Sequence, residues 1–390
     1  MAHFQIYEDK DNNKENSTVN VLTRGKNTKQ PLGLLNTNKI NQKNNAKPFG
    51  ELVEIHKFAA KKSNELLPVI EQLESISLPQ DEIDSIPMSV DRSSTEVFSS
   101  QVIQKKATRV SSAYDEVHYQ KDILVNCRVG ELKNRPQPLY MVRQKDICHK
   151  MRSVLIDWLV EVTVDYEMNS ETLYLCISFI DRFLSQVAVK RSVLQLVGTT
   201  ALFIACKFEE MTPPQVEELI YITDDSYTRE EILNMERFML KILSFNLVTP
   251  TAYAFVKMYA VMCDEMCETL KSLAMYISEL SLLKGDPFLL YLPSMISSAA
   301  LALARHILGM EIWSPQLEQI TTYKLKDLRT VVLALSSNHR SAKGLKLQGI
   351  QKKYKGKQYG NVAEIDDLEL TQDRFDLLSV AYEAKHSTRI

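Results

Sequence analysis

No Asn-Gly or Asp-Gly pair occurs in the 390 residues, and no stretch alternates apolar and polar residues for long enough to make a half-buried strand. Tight hairpins and amphipathic strands are thereby excluded as the main architecture. There is also no Gly-rich phosphate loop and no His-Glu-x-x-His string, so two common enzyme signatures are missing. The histidines (His3, His56, His118, His149, His306, His339, His386) are dispersed beside no evident nucleophile, and His306, in an apolar helical run, reads as a core or boundary residue. An excess of one charge is lacking too. The 47 Lys and Arg nearly balance 49 Asp and Glu, and a net charge of −2 lacks the basic excess of a nucleic-acid-binding face. The N-terminus has no apolar signal core, and no uninterrupted apolar run approaches the ~20 residues of a membrane span. An intracellular, soluble protein without direct nucleic-acid or membrane partners is expected. Cysteine is sparse: Cys127, Cys148, Cys176, Cys206, Cys263 and Cys267 are scattered, most of them in apolar helical runs, as free thiols are in a reducing compartment. Cys263 and Cys267 lie one helical turn apart with no second Cys or His pair nearby, so no metal or other cofactor is expected.

What is present is helical. At 45% hydrophobic and 25% charged residues a sizeable core is available, and the length suggests two or three units at ~150 residues each. Residues 1–110 stand apart. They are rich in Asn and Lys, then in Ser, Asp and Glu, and hold no apolar period long enough for a core, which predicts a disordered tail. From about residue 111 one helical pattern follows another. In Met151-Arg152-Ser153-Val154-Leu155-Ile156-Asp157-Trp158-Leu159-Val160-Glu161-Val162, the residues Met151, Leu155, Trp158, Leu159 and Val162 recur at helical spacing. Thr228-Arg229-Glu230-Glu231 is a capping box, and Thr212-Pro213, Thr249-Pro250 and Ser314-Pro315 read as further helix starts. Leu325, Leu328, Val332 and Leu335 line another helix. A faint internal repeat pairs a long amphipathic helix with one dense in Ala, Ser, Thr and Gly, first over 171–183 and 197–208, then over 269–282 and 294–307. Two similar helical domains follow, split near 246–249: 111–247 and 248–350, with an extension at 351–390 in which Phe375, Leu377, Leu378 and Val380 mark a terminal helix.

These residues resemble the cyclins, and the A-type cyclins in particular. The matching strings, in family order, are 151–162, Ile180-Asp181-Arg182-Phe183-Leu184, Leu194-Gln195-Leu196-Val197-Gly198-Thr199, Lys207-Phe208-Glu209-Glu210, Tyr221-Ile222-Thr223-Asp224-Asp225 and Tyr291-Leu292-Pro293-Ser294, within about 114–359. The resemblance implies an all-α fold of two tandem five-helix cyclin boxes. A short helix, fitted by Val117, Ile123 and Leu124, precedes the first box. It implies a regulatory subunit, not an enzyme, that binds and activates a cyclin-dependent protein kinase during S phase and G2/M.

The resemblance also assigns residues. Lys207 and Glu236 match the pair that contacts the kinase's mobile helix and the loop before it, with Phe208, Glu209 and Phe245 in the same interface. Read without the family, Lys207 is equally a snorkelling Lys at a helix end or half of an internal Lys207–Glu236 pair. Arg152 and Asp181 match an ion pair tying the first helix to the second. Met151, Val154, Leu155, Trp158, Glu161, Arg191, Leu194 and Gln195 match a shallow apolar patch for substrate and inhibitor proteins carrying Arg-x-Leu, with core packing as the other reading, above all for Leu155.

In the tail, Lys14-Glu15-Asn16 matches a KEN box, the degron of a mitotic ubiquitin ligase. Lys29-Gln30-Pro31-Leu32 resembles a destruction box with Lys where Arg is usual, and Lys26, Lys29, Lys39 and Lys43 are candidate ubiquitin acceptors. Nuclear and cytoplasmic residence, mainly nuclear when active, is expected. Rival readings are a DNA-binding protein with paired cyclin folds, a helical enzyme and a B-type cyclin.

Overall fold

The computed structural model describes residues 118–264 and 266–386. Among them there is no β-strand. A leading helix, α1 (Gln120–Lys133), precedes a bundle of five: α2 (His149–Asp165), α3 (Ser170–Leu184), α4 (Leu194–Glu209), α5 (Val216–Ile222) and α6 (Arg229–Ile242). A second five-helix bundle follows: α7 (Ala252–Met262), α8 (Glu268–Leu283), α9 (Pro293–Ile307), α10 (Pro315–Thr321) and α11 (Leu325–Ala342). A short α12 (Gly349–Tyr354) and a terminal α13 (Gln372–His386) come last. The all-α, two-bundle architecture is the one expected. Val117 of the leading segment lies outside the described residues.

Local chemistry sets the helix starts. The Thr228 hydroxyl accepts from the Glu231 amide while the Glu231 carboxylate accepts from the Thr228 amide, closing the expected capping box of α6. Ser314 caps α10 by accepting from the Leu317 amide, with Pro315 in the first turn. Two starts fall later than expected. α5 begins at Val216, capped by Gln215 rather than Thr212. Thr212 and Pro213 each precede a proline, which disfavours helical dihedrals and holds the Thr-Pro-Pro run extended. α7 begins at Ala252 under Thr251, whose hydroxyl accepts from the Ala254 amide, leaving Thr249-Pro250 outside.

Each bundle is built around the small-residue helix of its repeat. α4 packs on α2, α3 and α6, and α9 on α7, α8 and α11. Ser294, Ser297, Ser298, Ala299, Ala300, Ala302 and Ala304 of α9 are all buried, which lets neighbouring backbones approach closely. In α4 a Cβ on Gly198 would lie 2.6 Å from the Leu155 Cδ1, so only glycine admits α2 at this distance. The stretch Arg191–Glu209 does reach the length and mean hydropathy of a membrane span, unlike the sequence expectation, yet 72% of its apolar window is buried inside the protein. Its apolarity serves the centre of a bundle.

Polar side chains join the bundles. Arg152 of α2 grips Asp181 of α3 bidentately (Nε–Oδ1 2.6 Å, Nη2–Oδ2 2.7 Å) and donates from Nη1 to the Leu282 carbonyl of α8 at 2.9 Å. The Tyr174 and Ser278 hydroxyls meet at 2.8 Å, and the Thr251 hydroxyl donates to the Glu171 carboxylate at 2.7 Å. α1 docks on the second bundle. Glu131 accepts from the Ser294 amide (2.9 Å) and hydroxyl (2.7 Å), placing a carboxylate at the N-terminus of α9, where the helix dipole favours it. α12 bridges both bundles: Lys353 Nζ donates to Glu279 of α8 (2.8 Å) and to the Ser170 hydroxyl at the start of α3 (3.1 Å). α13 forms as expected, with Phe375 and Tyr382 buried, but Leu377 and Val380 are exposed. It is also attached through the ion pairs Arg329–Asp376 (2.6 Å) and Lys385–Glu311 (3.0 Å).

The Glu171 junction carries a pH signature. Burial raises its carboxyl from 4.5 to about 7. The folded chain therefore holds this proton more tightly than the unfolded chain, and stability falls as pH rises through that window. Glu171→Gln keeps an acceptor for Thr251 without the charge. Its melting temperature is expected to exceed that of the native chain by several degrees at about pH 7.5, on the order of 1–3 kcal/mol, and nearly to meet it at about pH 4.5. A difference independent of pH would contradict the assignment.

Candidate functional site

Two surfaces of the first bundle gather the predicted residues. The first lies where α4 emerges from the core. Residues 201–206 are buried, and Lys207 is the first side chain to reach solvent. α6 packs alongside and brings Glu236 to it, so the Lys207 ammonium is ion-paired with the Glu236 carboxylate while lying 4.1 Å from the centroid of the Phe203 ring. The internal pair is thus formed, yet 42% of the Lys207 side chain remains exposed. An ammonium has three donors, so this cation is held in place with hydrogen-bonding capacity left over.

Phe208 follows on the exposed side. Glu209 turns back toward α3, where its carboxylate accepts from the Asn169 side chain at 3.3 Å, and burial together with the neighbouring Glu210 raises its carboxyl. Phe245 is 70% exposed. It and Ser244 both have positive φ (57° and 52°), a conformation that non-glycine residues seldom adopt. The turn is held by the Phe245 amide on the Leu240 carbonyl (3.0 Å) and by Arg182 Nη1 on the Asn246 carbonyl (2.8 Å). Such strain persists only where the surroundings over-determine it, and here it turns a large apolar ring outward. Exposed Phe238 and Met211 were missed in the sequence reading. Phe238 is edge-on to Phe183 at 5.6 Å.

The second surface is along α2. Leu155 and Leu194 have no exposed area, and Trp158 and Gln195 are buried. Direct apolar contact by Leu155 therefore does not fit the structure. Leu155 packs on Gly198, and the predicted side chains that reach the surface are half-buried Met151, Val154, Glu161 and Arg191. The buried Nε of Arg191 has no hydrogen-bond partner. Sequence reasoning missed Asp157, one turn before Glu161, although the i, i+4 carboxylates were visible. Asp157 Oδ1 accepts from the Gly349 amide at 2.8 Å, and burial raises its carboxyl to about 6. Glu161 accepts from Lys352 Nζ at 3.2 Å. The C-terminal α12 therefore lies against the acidic side of α2.

Arg152 and Asp181 are each 2% exposed, and the Tyr140 hydroxyl donates to Asp181 Oδ1 at 2.7 Å. His306 is buried, and burial lowers its pKa. No disulfide joins the cysteines among the described residues, and no group of three or more candidate metal ligands occurs among those residues. Lys14, Glu15, Asn16, Lys29 and Leu32 lie outside the described residues.

Comparison with known proteins shows the family. Residues 122–248 match the model of the cyclin N-terminal domain and residues 250–368 that of the cyclin C-terminal domain. The chain is 44% identical to the G2/mitotic-specific cyclin-A of Drosophila melanogaster over 99% of its own length and 95% of the relative's. It is 41% identical to the G2/mitotic-specific cyclin-A of Patella vulgata over 77% of its length and 68% of the relative's. The crystal structure of a viral cyclin from herpesvirus saimiri aligns with 55% of this chain and 97% of its own, at 21% identity and a TM-score of 0.49. The chain belongs to the cyclin family, in its A-type branch. Its role is that of a cell-cycle regulatory subunit for a cyclin-dependent kinase, and it is not itself an enzyme.

Proposed function

We propose that the kinase binds the face formed by Lys207, Glu236, Phe208, Glu209 and Phe245. The observation that carries this reading is the Lys207 ammonium, positioned by Glu236 and Phe203 but still 42% exposed, at the end of an otherwise buried helix. An ammonium and a carboxylate so fixed can hydrogen-bond main-chain groups of a docked helix and set its orientation. By binding the active arrangement of the kinase better than the inactive one, the platform shifts that equilibrium. A change from 1:99 to 99:1 needs about 5.5 kcal/mol of differential affinity. ATP, Mg²⁺ and the catalytic groups belong to the partner.

The α2 surface is the proposed docking patch for Arg-x-Leu segments of substrates and inhibitors. Met151 and Val154 meet the apolar side chain above a floor of Leu155, Trp158 and Leu194. Glu161 receives the Arg, and Arg191 and Gln195 border the extended backbone. Such a site acts by raising local substrate concentration at the kinase. Lys14, Glu15 and Asn16, with the segment at Lys29 and Leu32 less closely matched, direct destruction through the mitotic ubiquitin ligase. The complex works mainly in the nucleus and is also present in the cytoplasm, in S phase and at G2/M.

Replacing both Lys207 and Glu236 by Ala removes the pair without leaving a lone charge. The variant is expected to lose co-purifying histone kinase activity from dividing cells while its far-ultraviolet dichroism stays unchanged. Full retained activity in a folded double variant would overturn the kinase face. Replacing Lys14, Glu15 and Asn16 by Ala is expected to lengthen the protein's half-life at mitotic exit severalfold, and an unaltered decay would remove the degron assignment.

A further inference from the structure

Ser or Thr precedes a proline in three places in the sequence: Thr212-Pro213, Thr249-Pro250 and Ser314-Pro315. The fold uses two of these hydroxyls. Ser314 is buried and caps α10, accepting from the Leu317 amide at 3.3 Å. Thr249 is half-buried, and its hydroxyl accepts from Arg182 Nη1 at 3.2 Å while the Pro250 ring lies against Gly130 of α1. Thr212 differs. The cap of α5 has passed to Gln215, so the Thr212 hydroxyl caps no helix. Thr212 is exposed, and Met211 before it is fully exposed. The segment 210–215 joins α4 to α5 without helix, and Pro213 holds Thr212 in the extended region. An accessible hydroxyl on extended backbone, followed by a residue with no amide hydrogen to satisfy, suits the cleft of a proline-directed protein kinase.

We propose that Thr212 is a phosphorylation site for a proline-directed serine/threonine kinase, and that its phosphate opposes assembly with the cyclin-dependent kinase. The second half rests on the reading of the Lys207 face. The Thr212 Oγ1 attacks the γ-phosphorus of ATP. The bond to the β,γ-bridging oxygen breaks, ADP leaves with that electron pair, and the hydroxyl proton passes to the modifying enzyme's base. The ester carries a charge of about −2. No arginine cluster awaits it. Glu209 and Glu210 accept from Asn169, Glu218 accepts from the Gln215 amide, and Arg229 is already paired with Glu217. Lys207, five residues before Thr212, keeps donors beyond those given to Glu236. A dianion tethered at that range competes with the partner for them, and it adds like charge beside Glu209 and Glu210.

The test treats the full chain, the same chain unfolded by heat, and Thr212→Ala with a purified mitogen-activated protein kinase, Mg²⁺ and ATP, and maps the phosphates by mass spectrometry. The native chain is expected to take phosphate on Thr212 alone, Thr212→Ala to take none, and the unfolded chain to gain Thr249 and Ser314 as well. A native chain left unmodified, or modified equally at Thr249, would overturn the site. The treated native chain and treated Thr212→Ala are then compared for histone kinase activity retained from an extract of dividing cells, with phosphatases inhibited. The phosphorylated chain is expected to retain severalfold less. Equal retention would overturn the regulatory role while the site stands. If the Lys207 and Glu236 double-alanine variant also retains the kinase in full, the kinase face itself falls, and Thr212 is still judged by its phosphate.

Discussion

Both bundles hang on the Arg152 guanidinium. Its fork closes on Asp181, and the remaining Nη1 reaches the Leu282 carbonyl near the end of α8, where helix carbonyls lack intrahelical partners. The adjacent Ser153 hydroxyl donates to the Leu283 carbonyl at 2.6 Å, and Asn338 of α11 donates to the Leu280 carbonyl at 3.0 Å. Three side chains thus cap α8, two of them from the first bundle. A cation at a helix C-terminus is also favoured by the dipole. Burial opposes the charge on Arg152, but Asp181 and Tyr140 more than offset it and raise the pKa above the ordinary arginine value. A buried pair of this kind contributes little net stability relative to apolar packing, but removing one partner costs about 3–5 kcal/mol. It also enforces geometry: α2, α3 and the end of α8 must meet at one point.

Function on this platform follows from that rigidity. In the proposed function the chain offers a partner kinase a fixed surface, so the side chains on it must be held before the partner arrives. Lys207 illustrates how. Its helix is buried up to Cys206, its ammonium lies against a ring and a carboxylate, and only its outer donors are free to bind. Phe245 is presented by a turn in a left-handed conformation tethered to Arg182. On α2, the proposed docking surface rests on a floor of fully buried Leu155 and Leu194 and is bordered by α12, which is itself anchored on Glu279.

The fold was legible because its signals are local. The stripe from Met151 to Val162, the capping box at Thr228 and the small-residue helices of the repeat are each read within about one helix, and each forms where expected. Errors arose where two local rules compete. Thr212 is a good cap, but the prolines after it hold the chain extended, and the cap passes to Gln215. Leu377 and Val380 suit a helix yet face outward, because α13 is tethered by ion pairs and by Phe375 and Tyr382. The site was legible only where the family resemblance marked it. Asp157 was missed because its partner, the Gly349 amide, is 192 residues away, and Lys352 and Glu161 are separated by almost as much. Contacts of that range have no periodicity to betray them.

The most direct test of the platform is hydrogen–deuterium exchange by mass spectrometry on Arg152→Lys. Lysine keeps the positive charge but cannot hold Asp181 with two parallel bonds while reaching the Leu282 carbonyl. If Arg152 couples the bundles, exchange should accelerate both in α2 and α3 and in the segment 280–286 of the second bundle. Faster exchange confined to the first bundle, with 280–286 as protected as in the native chain, would contradict that coupling.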